Sequence, residues 1–194
     1  GNEYNLNFWI YINDYTHNKG KDKCILYKWN LPVGNLDASQ TQNINANPGI
    51  YLLKEENTLR VSIGLDTNYE KQDCNDPNGS CSINTNECDI KNFPLQTWVN
   101  INVSLRQNVI DIYLNGELHK SCILHGAPTI NKGDLYVTRD DGFNGYISNL
   151  KWTNKALSVQ KISKLYKDGP TLGSAGIVDK LYGLLVYKVK VVKL

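Results

Sequence analysis

Apolar residues recur at every second position through much of this chain. Between Trp98 and Leu105, Val99, Ile101, Val103 and Leu105 fall on one side, and Asn100, Asn102 and Ser104 fall on the other. Ile110, Ile112 and Leu114 repeat the alternation against Asp111 and Tyr113. A period of two is the signature of a strand with one buried face. Asn115-Gly116 follows directly, and both residues tolerate the positive φ of a two-residue type I′ hairpin turn, so 117–124 returns as the next strand. Runs rich in aromatic and β-branched residues predict further strands at 8–15, 24–29, 50–53, 59–65, 135–138 and 146–152. The polar turn Lys54-Glu55-Glu56-Asn57 makes a hairpin of the third and fourth of these. Residues 30–48 and 66–97 are polar and rich in turn formers, and they read as loops. One helix is expected after a Ser158 cap, with Ile162, Leu165 and Tyr166 on one face and a stop at Gly169-Pro170. Many short strands at near-regular spacing predict an all-β, antiparallel sandwich with one short C-terminal helix.

The 194 residues suffice for one domain with a substantial core. The division expected is a sandwich over 1–170 and a C-terminal extension over 171–194. In the extension, 177–185 has the pattern of a short amphipathic helix, and 187–194 alternates lysine with valine. That last run reads as an edge strand guarded by lysines, with contact to anionic lipid as the alternative. The net charge of +2 and the lack of a dense Lys/Arg cluster argue against a nucleic-acid partner. No run of about 18 apolar residues is present, so a membrane link is expected only through an upstream segment. The lack of Met at position 1 predicts that the sequence begins inside a longer product. Heavy use of Asn, and of Lys over Arg, points to an AT-rich genome.

The five cysteines are Cys24, Cys74, Cys81, Cys88 and Cys122. Six residues separate neighbours among the middle three, whereas zinc sites favour tighter Cys pairs with a nearby histidine. Disulfide chemistry in an oxidising compartment is the favoured reading and zinc the alternative. Cys24 heads an apolar run and is expected to be the buried, free thiol. Asn78 and Asn102 begin glycosylation sequons.

Three segments, taken in order, resemble the laminin G-like fold: 98–105, then Ile110 to Leu118 with its Tyr-x-Asn-Gly turn, then Gly142-Phe143-Asn144-Gly145-Tyr146-Ile147. The resemblance covers roughly residues 4–170 and implies a concanavalin A-like jelly roll. The segments 4–14, 93–100 and 121–128 look like a group of giant DNA virus proteins, in which a hydrophobic N-terminal anchor precedes an exposed laminin G-like domain. That likeness implies a virion-surface or capsid-associated, extracellular location and a Cys88–Cys122 bridge, with Cys74–Cys81 as a local staple. It also implies glycans or other virion coat proteins as partners.

The fold class also carries glycan-cleaving enzymes, which need two carboxylates facing each other across the scissile bond. No Glu-x-Asp-x-Glu alternation and no Gly-x-Ser-x-Gly nucleophile motif occurs, so a non-catalytic module is expected, with no cofactor. Calcium is a minor possibility through Asp140 and Asp141, because laminin G-like domains often bind it at the rim. The stretch at 73–84 fails the EF-hand template, having Asn84 where that template has Glu. The expected ligand face is the polar side of the central strands: Asn100, Asn102, Ser104, Asp111 and Tyr113. There, amides and an aromatic ring can meet sugar hydroxyls. A coat protein that binds only protein neighbours is the competing expectation.

Overall fold

The computed structural model describes residues 3–29, 46–66, 85–130, 132–138 and 141–170. Ten strands and one helix follow in chain order. They are β1 (Tyr4–Asp14), β2 (Lys23–Trp29), β3 (Gly49–Leu52), β4 (Thr58–Gly64), β5 (Thr85–Lys91), β6 (Trp98–Arg106), β7 (Val109–Leu114), β8 (Glu117–Ile123), β9 (Asp134–Val137), β10 (Asn144–Thr153) and α1 (Val159–Lys167). They form two five-stranded sheets, with strand orders β10-β1-β6-β7-β8 and β5-β4-β3-β2-β9. Each sheet is the centre of one of two compact units.

The first unit is built on the alternation seen in the sequence. Leu6, Phe8, Ile10 and Ile12 of β1 lie beside Val99, Ile101, Val103 and Leu105 of β6 and Ile110 and Ile112 of β7, all of them buried. Asn115 and Gly116 both have positive φ, as a type I′ turn requires. The glycines of the Gly-Phe-x-Gly-x-Ile segment have different tasks. Gly142 adopts a left-handed φ of 45°. Gly145 lies opposite Ile12, and a Cβ there would fall 2.0 Å from the Tyr11 carbonyl oxygen. Helix α1 buries Ile162 and stacks Tyr166 on Trp9. Ser158 stands at its N-cap, but its side chain makes no capping hydrogen bond, contrary to the expectation.

In the second unit, Ile50, Leu52, Leu59, Val61, Ile63 and Ile90 supply buried apolar contacts. Strand β5 corrects the reading of 66–97 as a continuous loop. Its Cys88 and Ile90 are buried, while Glu87 and Asp89 meet Arg60 across the strand pair. The Arg60 guanidinium donates to both Asp89 oxygens at 2.8 Å and pairs with Glu87 at 2.7 Å. This fork raises its pKa, with the Asp89 hydrogen bond as the leading cause. Only Cys88 and Ile90 of its seven residues are apolar, which hid this strand from hydrophobic patterning.

Cys24 is a buried cysteine outside any disulfide, as expected. Cys88 and Cys122 are disulfide-bonded. Cys74, Cys81, Asn78, Asp140 and the extension 171–194 lie outside the described residues. No helix among the described residues is long and apolar enough to cross a membrane.

Candidate functional site

The polar face of the first sheet differs from the expectation at the positions proposed for ligand contact. Asn100 and Asn102 are fully buried, and Ser104 is 4% exposed. They face β1, where Asn5 and Asn7 are also buried. Asn5 Nδ2 donates to Asn102 Oδ1 at 2.6 Å, and Asn102 Nδ2 donates back to Asn5 Oδ1 at 3.0 Å. Asn100 Nδ2 donates to Asn7 Oδ1 at 3.2 Å. Buried amides need partners, and most of these find them in one another, so this side of the strands is an internal hydrogen-bonded ladder that leaves Asn100 Oδ1 unpaired. Asn100, Asn102 and Ser104 are therefore corrected from solvent-facing contacts to buried structural groups. Strand alternation identifies which residues share a face, but it does not say whether anything covers that face.

Tyr113 is also buried, at 6% exposure, and its hydroxyl pKa is raised by that burial and secondarily by Asp111. Asp111 accepts a hydrogen bond from Ser121 Oγ at 2.5 Å. Tyr113 lies in register with Asn102, and Asp111 with Ser104, so the five expected residues do share one face. The burial of Asn102 also settles its sequon. Its amide nitrogen is committed to Asn5, so we expect peptide mapping after expression in a glycosylating host to find Asn102 unmodified.

The same face opens at its other end. Tyr146, Tyr11 and Trp98 lie in one register row across β10, β1 and β6. All three are half-buried. The Tyr11 ring meets Trp98 edge-on at 5.7 Å between centroids and Tyr146 at 6.1 Å. Trp98 and Tyr146 are 6.4 Å apart and tilted by 36°. The two outer rings therefore lean together over the central one. Amides border the row: Asn13 Nδ2 donates to Asn144 Oδ1 at 3.2 Å, and Gln96 Nε2 donates to the Asn13 carbonyl at 3.4 Å. The Gln96 backbone N–H donates to the Ile12 carbonyl, which fixes that turn against β1. A register shift between Ile12 and Asp14 places Asn13 beside the row. Tyr11 and Trp98 are 87 positions apart in the chain and Trp98 and Tyr146 are 48 apart, so no local motif could have revealed them.

A second aromatic group, Tyr27, Tyr51 and Tyr136, lies in the other unit and is less open. Tyr27 is 1% exposed and stacks on Tyr136 at 5.1 Å. The Tyr51 ring occupies the space over Gly49, 2.7 Å from where a Cβ would sit. Glu87 and Asp89 beside it share one face of β5, but Arg60 bridges them, so they form an ion-pair clamp rather than a facing acid and base. For calcium, Asp141 is exposed and its carbonyl accepts from Asn18 Nδ2 at 3.4 Å. Among the described residues no group of three or more His, Cys, Asp or Glu side chains is placed to hold a metal.

The laminin G-type family model described as the concanavalin A-like lectin/glucanases superfamily matches residues 1–163. The chain belongs to this superfamily. Among the described residues, its two antiparallel five-stranded sheets and one short helix are those of the concanavalin A-like sandwich. No curated protein sequence matches it significantly. Among solved structures it is similar to the binding domain of botulinum neurotoxin serotype G, with TM-score 0.58 and 14% identity over 86% of this chain and 36% of that one. The serotype D ligand-binding domain in complex with N-acetylneuraminic acid gives TM-score 0.59 at 13% identity, again over 86% of this chain and 36% of that one. The binding domain of neurotoxin DC in complex with SialylT gives 0.58 at 15%, with the same coverage. The chain thus spans little more than a third of the length of these neighbours, and the likeness is one of fold. The neighbours are binding domains. The superfamily and the disulfide are compatible with an extracellular, oxidising location.

Proposed function

We propose that this domain is a non-catalytic carbohydrate-recognition module whose contact surface is the Tyr11–Trp98–Tyr146 row. The observation that carries this reading is three half-buried rings on adjacent strands, bordered by the amides of Asn13, Gln96 and Asn144. The C–H face of a pyranose stacks on an aromatic ring, and its hydroxyls pair with amides, which both donate and accept. Strands hold the rings in place before the ligand arrives, which reduces the ordering cost of binding. The glycan ligands named for the neurotoxin domains support this reading by analogy of fold.

The setting we propose is the surface or capsid of a giant DNA virus particle, supported by the segments at 4–14, 93–100 and 121–128. Many copies on one particle would convert weak single-site contacts into avid attachment. The test is a broad glycan array probed with the oxidised domain in multivalent form. We expect saturable binding that Trp98→Ala weakens about tenfold or more, with the thermal midpoint little changed. A blank array overturns this reading in favour of a coat component that contacts only proteins. One observation favours that second reading: β8 ends its sheet, with Leu118 56% and Ile123 68% exposed, as suits strand addition.

A further inference from the structure

We infer that the aromatic row takes an uncharged pyranose and discriminates against sialylated glycans, an inference that rests on the recognition reading above. Sialic acid carries a carboxylate, and an anionic sugar held against aromatic rings needs a cation or several donors to replace its lost hydration. The segments that build and border the row are 11–16, 94–100 and 143–148, and they contain no Lys, Arg or His. Their one charged residue is Asp14, an anion, whose carboxylate accepts from the Thr16 backbone N–H and hydroxyl. On the same face of β10, the basic residue in register with β1 is Lys151, opposite Asn7. Asn7 is four residues from Tyr11, about 14 Å at the rise of an antiparallel strand. That exceeds the Debye length of about 8 Å at physiological ionic strength, so Lys151 contributes little at the row.

The hydrogen-bonding groups at the rim fit the same ligand class. Asn13, Asn144 and Gln96 are neutral amides, each with a donor and an acceptor end, and so match hydroxyls, which also do both. A carboxylate only accepts, so it can use only the amide N–H ends, and those of Asn13 and Gln96 already donate to Asn144 Oδ1 and the Asn13 carbonyl. The rings set the size of the subsite. Trp98 and Tyr146 are centred 6.4 Å apart, a spacing on the order of one pyranose ring. Specificity here follows from what the described residues of the rim lack as much as from what they offer.

The experiment compares a panel of neutral glycans with the sialylated form of each, immobilised at equal density, using the oxidised wild-type chain, Trp98→Ala and Gln96→Lys. Gln96 is exposed, and a lysine there brings a cation to the rim. We expect neutral members to bind at least about fivefold more strongly than their sialylated counterparts, with Trp98→Ala weakening the signal about tenfold or more. Gln96→Lys should narrow that difference, and raising the salt concentration should restore it. Equal or stronger binding of the sialylated forms that Trp98→Ala removes overturns the inference and leaves carbohydrate recognition standing. Absence of binding to either set, by a chain with an unchanged thermal midpoint, overturns both.

Discussion

Replacing Gly145 by alanine is expected to unfold the domain or cost it more than about 4 kcal/mol. The added Cβ would lie 2.0 Å from the Tyr11 carbonyl oxygen and 2.7 Å from the Phe143 ring. The first obstacle is the backbone of the adjacent strand, which cannot rotate aside as a side chain can. Relief requires β10 to move away from β1, and those strands share a register from Asn5 to Asp14. Such a movement would also separate Tyr146 from Tyr11, so any folded remnant should lose the binding proposed for the aromatic row. Gly126→Ala is the matched control, because its Cβ would meet only Leu65 at 3.5 Å, an ordinary contact. Urea unfolding of both variants measures the contrast. Loss of only about 1 kcal/mol at Gly145 would mean that the two strands are not packed this closely in solution.

Asn102→Ala is expected to cost about 3–4 kcal/mol, although it removes one neutral amide. The substitution breaks the reciprocal pair with Asn5, leaving a buried donor and a buried acceptor without partners at about 1–3 kcal/mol each. Removing both partners should be much milder. An Asn5→Leu, Asn102→Leu double variant takes out both polar groups together and retains comparable volume. Equilibrium denaturation of the two singles and the double closes a mutant cycle, and we expect a coupling of about 1–3 kcal/mol. Additive single effects would show that the amides do not pair as described. If Asn102 faced solvent, its replacement would change stability by no more than about 0.5 kcal/mol.

The contrast between these two sites shows which features the sequence made legible. Gly145 stands out within Gly-Phe-x-Gly-x-Ile, and the pattern of that segment resembles a laminin G-like closing strand. Its role follows from a backbone approach that only the paired strands reveal. Asn100 and Asn102 were correctly placed on the face opposite Val99, Ile101 and Val103. Their exposure was misjudged, because asparagine is usually a surface residue. Strand β5 went unread for a related reason. Glu87, Asp89 and Lys91 gave it the composition of a loop, and its stability draws on Arg60, which is distant in the chain.

The sequence by itself determined the all-β class, nearly every strand, the Asn115-Gly116 turn, helix α1 and the buried Cys24 thiol. Each of these depends on local periodicity, turn chemistry or composition, which act over a few residues. Tertiary structure alone decided which polar face is closed and where it opens. Asn5 and Asn7 meet Asn100 and Asn102 only after β1 pairs with β6, and Tyr146, Tyr11 and Trp98 form a row only after three strands take their register. Burial and side-chain juxtaposition are properties of pairs that folding brings together, so they cannot be read from either partner alone.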